Sequence, residues 1–153
     1  FKMIRIKSLL LLLLWGIFGA LPVFADNQAA YELHKQGIEI AKAGDFQGGV
    51  KLLEKALQLT PSDSQLKKNL SGVLTDWAIK VNAKGNEDKA FALLNKAIKH
   101  NSENSLALFH RGDIAYLVKS NFDLAIQSWR EALKYAPSDA RNAITDRIKR
   151  AET

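Results

Sequence analysis

Residues Leu106–Pro137, LALFHRGDIAYLVKSNFDLAIQSWREALKYAP, decide how this chain is read. Apolar residues recur at three- and four-residue spacing in two short segments, the pattern of helices with one buried face. Ser120-Asn121 supplies a turn between them, and Pro137 ends the second segment. Small residues stand where two helices would cross, and large ones such as Trp129 where a neighbouring pair would pack. The stretch therefore predicts a helical hairpin, and the same grammar appears twice upstream.

Pro61, Ser102 and Pro137 punctuate the chain at separations of 41 and 35 residues. A recurrence near 34 residues marks stacked helix–turn–helix units. The first unit, about 30–63, has a first helix carrying Leu33, Gly37 and Ile40, a turn at Gly44-Asp45, and a second helix carrying Gly49, Val50, Leu53, Ala56 and Leu57. In that turn Gly44 stops one helix and Asp45 caps the next. The second unit, about 64–104, carries Leu74, Trp77, Ala78 and Val81, a turn at Gly85-Asn86, then Ala90, Leu94, Ala97 and Ile98. Its seven extra residues come at its start. Seven residues are close to two helical turns, so they lengthen the first helix with little rotation of its apolar face. One long helix is expected from Asp63 to Lys84, opened by a Ser62/Gln65 capping box, with Leu66, Leu70, Val73, Leu74 and Trp77 as its buried stripe. The third unit spans 105–139. Ser138 is expected to cap a final helix over 139–151, whose Ala140, Ala143, Ile144 and Ile148 cover the open end of the stack.

Close approach of backbones explains the small residues: Gly37 faces Gly49, and Ala78 faces Ala90. Leu53, Leu94 and Trp129 then fill the gap to the next pair. These positions resemble the tetratricopeptide repeat, most closely in Ala115-Tyr116-Leu117, Asn121 to Ile126, Trp129, Ala132 and Pro137. The resemblance covers nearly all of 30–139. It implies an all-α fold, a right-handed α–α superhelix of about three helix hairpins plus a C-terminal capping helix. In the third unit Gly112 precedes Tyr116 by four residues, where the family has three. The extra residue is expected in the link near Asn104, which puts Asp113 at the crowded crossing. The alternative is a π-bulge inside the first helix around Gly112–Tyr116, which a backbone bond spanning five residues near Asp113 would reveal.

Ahead of the repeats, residues 1–25 read as an export signal. Lys2, Arg5 and Lys7 precede an apolar run from Leu9 to Leu21, and Val23-Phe24-Ala25 places small residues before a cut at Asp26. The run is short for a spanning helix, which needs roughly 20 residues, so a membrane anchor is the second reading. Met3 is the expected start, or the chain is a fragment. The 153-residue chain has 22 basic and 16 acidic residues, net +6. Without residues 1–25, which hold three basic residues and no acid, 19 stand against 16, net +3. That small, interspersed charge argues against a nucleic-acid partner. With no cysteine, disulfides and thiolate metal sites are excluded.

No phosphate loop, metalloprotease motif or nucleophile elbow occurs. His34, His100 and His110 are the histidines; they lack convergent ligands and a nucleophile, so no metal, cofactor or catalytic group is expected and the chain reads as a non-enzyme. In the family that the chain resembles, the first helices of the hairpins line a concave groove. Carried over by position, this implies a protein-binding surface of Tyr31, His34, Ile38 and Ala41, then Thr75, Ile79 and Asn82, then Ala107, His110, Ile114 and Leu117. Ile38, Ile79, Ile114 and Leu117 would form an exposed apolar strip, which marks a partner site. His34 and Ile38 stand where a carboxylate-clamp subgroup has Lys and Asn. The expected function is a periplasmic or secreted protein–protein interaction scaffold binding a peptide or protein segment in that groove. The alternative is a structural, self-associating subunit of a larger envelope assembly.

Overall fold

A computed structural model describes residues 24–153. The expected export signal lies outside the described residues except for its last two positions. Among the described residues the regular structure is entirely helical: α1 over 24–42, α2 Phe46–Leu59, α3 Ser64–Asn82, α4 Glu87–His100, α5 Ser105–Leu117, α6 Phe122–Tyr135 and α7 Arg141–Ala151. From α2 to α7 each helix packs on its neighbour in sequence, α3 also reaches α5, and α1 crosses α2 where Gly37 meets Gly49. The result is an α–α superhelix of three hairpins, α1/α2, α3/α4 and α5/α6, with α7 laid against α6.

Asp and Asn side chains start the helices α2 to α6. Asp45 Oδ1 accepts from Gly48 N at 2.8 Å, Asn86 Oδ1 from Lys89 N at 3.2 Å and Asn121 Oδ1 from Leu124 N at 3.0 Å. These short acceptors satisfy N–H groups that a helix start leaves without intrahelical partners. In α3 the cap is Asp63, accepting from Leu66 N at 2.9 Å, rather than Ser62. The long helix is present, with Leu66, Leu70 and Leu74 buried and Val73 and Trp77 half-buried. In α5 the cap is Asn104, which also ties two hairpins together. Its Oδ1 accepts from Ala107 N, while its Nδ2 donates to Ser71 Oγ at 2.9 Å and Thr75 Oγ1 at 3.1 Å. Those buried hydroxyls donate in turn to the carbonyls of Ala97 and Ser71. Ser138 does not cap α7. That helix starts at Arg141 after Ala140, which has no side-chain cap, and the Asp139 carboxylate accepts from the adjacent Ala140 N–H.

The crossings are as tight as the small residues demand. A Cβ added to Gly49 would lie 2.6 Å from the Gly37 carbonyl oxygen. In the third hairpin, a Cβ on Gly112 would lie 2.4 Å from Trp129 Nε1. Gly112, and not Asp113, therefore occupies the crossing. The extra residue of this unit is not in the link: it is absorbed after Gly112, towards the end of α5, where a backbone bond spanning five residues begins at Ile114, next to Asp113, as the expected alternative requires. The N–H of each second-helix cap shows this. Asp45 donates to Ile40 O and Asn86 to Val81 O, five residues back, but Asn121 donates to Ala115 O, six back. Lys119 N–H spans five residues to Ile114 O, and Ser120 takes φ 49°, where the other two turns use Gly44 and Gly85.

Leu53, Leu94 and Trp129 are buried between layers. One core runs through the first two hairpins and a second lies under α5, α6 and α7, with Phe91 and Ile98 packed against both.

Candidate functional site

The first helices of the hairpins and α7 form one surface, and its seams hold several hollows. Between α1 and α3, one hollow of about 390 Å³ is lined by Tyr31, His34, Asp63 and Leu66. A second, of about 370 Å³, is lined by Ile38, Lys42, Lys68, Val73 and Asp76. Between them Asn69 Nδ2 donates to His34 Nε2 at 2.8 Å, bridging α1 to α3.

Between α5 and α7 the chemistry changes. A hollow of about 340 Å³ has almost wholly apolar walls: Leu106, Phe109, Ala136, Pro137, Ala140 and Ile144. Further along the seam, about 180 Å³ is enclosed by Asp113, Tyr116, Leu117, Trp129, Arg147 and Arg150. Phe109 and Arg147 join the two, because the Arg147 guanidinium lies 5.3 Å from the Phe109 ring centre, within cation–π range.

Asp113 anchors this seam. Trp129 Nε1 donates to its Oδ1 at 3.2 Å, and Arg147 Nε lies 2.8 Å from the same oxygen. The Arg147 Nε atom is buried but its N–H is not aligned with any acceptor, so the pairing is one of charge more than of a directed hydrogen bond. Burial raises the Asp113 carboxyl above its ordinary value, against the opposing pull of Arg147 and the Trp129 N–H. Burial, reinforced by Arg147, lowers the His110 imidazole below its ordinary value.

The residues expected in the groove divide into two groups. Tyr31, His34 and Ile38 line the α1–α3 hollows, and Leu117 lines an α5–α7 hollow at 72% exposure. Ile79 is half-buried and Asn82 is exposed. Thr75, at 1% exposure, is interior and serves the Asn104 network. Ala107 and Ile114, at 0% and 3%, are in the core of the first two hairpins, and His110 is half-buried. The expected apolar strip therefore breaks at Ile114. The cause is the register of α5. Moving the extra residue from before Gly112 to after Ala115 shifts each groove position by one, and one residue rotates a side chain by about 100° around a helix. Phe109, Asp113 and Tyr116 take the seam positions in place of His110 and Ile114. Arg147 and Arg150, three apart on the cap helix, were not foreseen; their i, i+3 spacing beside Ile144 and Ile148 is the signal that marks them in the sequence.

No family model matches the chain, and no curated protein sequence does. Solved structures do. The first TPR domain of Spaghetti (RPAP3), bound to an HSP90 peptide SRMEEVD, superimposes with a TM-score of 0.51 at 17% identity, over 82% of this chain and 92% of that one. The Arabidopsis OM64 TPR domain gives 0.53 at 16% identity, over 82% and 98%. The second TPR domain of human RPAP3, in complex with an HSP70 peptide SGPTIEEVD, gives 0.50 at 12%, over 86% and 98%. The chain has the tetratricopeptide-repeat fold.

Proposed function

We propose that this chain is a non-catalytic interaction scaffold, exported to the periplasm or secreted, that holds a peptide or protein segment on the surface formed by α1, α3, α5 and α7. One observation carries the reading. Tyr31, Leu106 and Leu117, at 59%, 47% and 72% exposure, each wall a hollow on that surface. Large apolar side chains kept in water around concave sites mark surfaces that a partner covers. Two of the solved domains of this fold carry bound peptides, which supports the same mode here. Export is supported by Lys2, Arg5, Lys7, the apolar run and Ala25.

Tyr31→Glu and Leu106→Glu test it. Both side chains are exposed, so helical circular dichroism stays intact. Cross-linked capture of envelope or medium proteins falls at least tenfold for one or both variants. Equal capture by both variants and the parent refutes the groove, and an unprocessed N-terminus in a soluble cytoplasmic fraction refutes export.

A further inference from the structure

We infer that the α5–α7 seam binds an extended segment within a partner protein in which a bulky apolar side chain and an acidic side chain stand about three residues apart. The inference rests on the scaffold reading above and specifies the chemistry of its partner at one seam.

The apolar half of the site is the hollow under Leu106 and Phe109. Its volume of about 340 Å³ exceeds that of a single Leu, Met or Phe side chain, and its walls offer almost nothing to hydrogen-bond. Only an apolar group gains from entering it. The charged half is the neighbouring hollow, where Arg147 and Arg150 face Asp113. Asp113 is committed to Arg147 and Trp129. Arg150 has no acidic partner at ion-pair distance among the described residues. Two guanidinium groups against one carboxylate leave a positive surplus, and an acidic side chain complements it.

Spacing follows from helix geometry. Ile144 walls the apolar hollow and Arg150 the charged one, six residues apart on α7. Six residues rise about 9 Å along a helix. An extended segment of polyproline II type rises about 3.1 Å per residue and returns to the same face every three residues, so it covers that distance with side chains three residues apart both turned to the seam. The Phe109 ring of the apolar hollow lies 5.3 Å from the Arg147 guanidinium of the charged one, so the two hollows adjoin. The seam is built from the capping helix and the last hairpin alone, so it requires no residue of α1 or α3.

Acetylated, amidated peptides with a Phe-Ser-Thr-Glu core, and its reversed order, titrated against the full chain by fluorescence anisotropy, test this. One order binds. Replacing its Phe by Ser weakens binding at least tenfold, as burial of one aromatic side chain requires. Replacing its Glu by Gln weakens binding about threefold to fivefold, the range of a part-exposed ion pair, and that difference vanishes in Arg150→Gln. Ala143→Glu, which puts a charge at the apolar wall, abolishes binding of the parent peptide. Parent, Phe→Ser and Glu→Gln peptides of equal affinity overturn the inference. So does binding only by a free chain-terminal carboxylate, or a second copy of the chain that occupies the seam and excludes the peptide. If the peptides fail while capture still depends on Tyr31, the scaffold reading stands and this inference alone falls.

Discussion

Gly112→Ala measures the register of the third hairpin directly. Alanine favours a helix interior over glycine by about 0.8–1 kcal/mol, so at an open helical position the change stabilises. At Gly112 the new Cβ would lie 2.4 Å from Trp129 Nε1 and 2.5 Å from Cδ1, against 3.4 Å or more for an ordinary contact. The indole must retreat by about 1 Å, yet it is 2% exposed and held by its hydrogen bond to Asp113. Overpacking of a tight core costs about 1–3 kcal/mol, and a shift this large of a buried indole puts the cost in the upper part of that range, at about 2–3 kcal/mol, so a net loss of about 1–2 kcal/mol remains after the propensity gain. For a domain of this size each kcal/mol moves the melting temperature by about 3–5 °C, so Tm falls by about 3–10 °C. Gly72→Ala is the control. Nothing lies within 4 Å of its new Cβ, and α3 is helical there, so Tm rises by about 3–5 °C on the same scale. Thermal unfolding followed at 222 nm and by tryptophan fluorescence gives both signs. A Gly112→Ala variant as stable as Gly72→Ala would remove Trp129 from the crossing and return the extra residue to the link.

Asn104→Ala loses the α5 cap and the two amide donations to Ser71 and Thr75; the urea midpoint falls by the equivalent of about 2–3 kcal/mol, and a loss under 1 kcal/mol would show that the network is not a tie between hairpins. Ser120→Gly relieves a non-glycine φ of 49° and stabilises by about 0.5–1 kcal/mol after the entropy of glycine is subtracted; an unchanged or lower urea midpoint counts against the widened turn. Burial lowers the His110 imidazole, with Arg147 adding to it, so the folded chain binds that proton less readily than the unfolded chain, whose value is near 6.5. Stability from this group is complete above pH 6.5 and is lost as pH falls from 6.5 through the folded value; His110→Gln flattens the dependence of the midpoint across that window, and an unaltered slope would place His110 in water.

Much of the architecture was open to view in the chain itself. Hairpin turns announce themselves through Gly44-Asp45, Gly85-Asn86 and Asn121, because a positive φ and an N-cap acceptor are local needs that few residue types meet. The seven-residue lengthening of α3 was equally plain, since it preserves the phase of the Leu66, Leu70 and Leu74 stripe. Ser62 and Ser138 misled because each has an aspartate next to it: Asp63 caps α3 in its stead, and Asp139 bonds the adjacent Ala140 N–H, so α7 begins late. At the candidate site, Tyr31, His34 and Ile38 line the α1–α3 hollows; the interior places of Ala107 and Ile114 follow from one residue of phase in α5, whereas Thr75 on α3 is interior for a separate reason, its hydroxyl accepting from the Asn104 amide.

Sequence alone settled that three helical hairpins and a cap would form, because periodicity, caps and small residues at crossings act within a hairpin or between near neighbours. The face of α5 turned to the seam was decided only in three dimensions. A helix satisfies its own hydrogen bonds at any rotation about its axis, so the backbone of α5 alone does not choose between Asp113 and Ile114 at the seam. The choice was made by Trp129, seventeen residues on from Gly112, whose buried indole leaves no room for a side chain at the crossing.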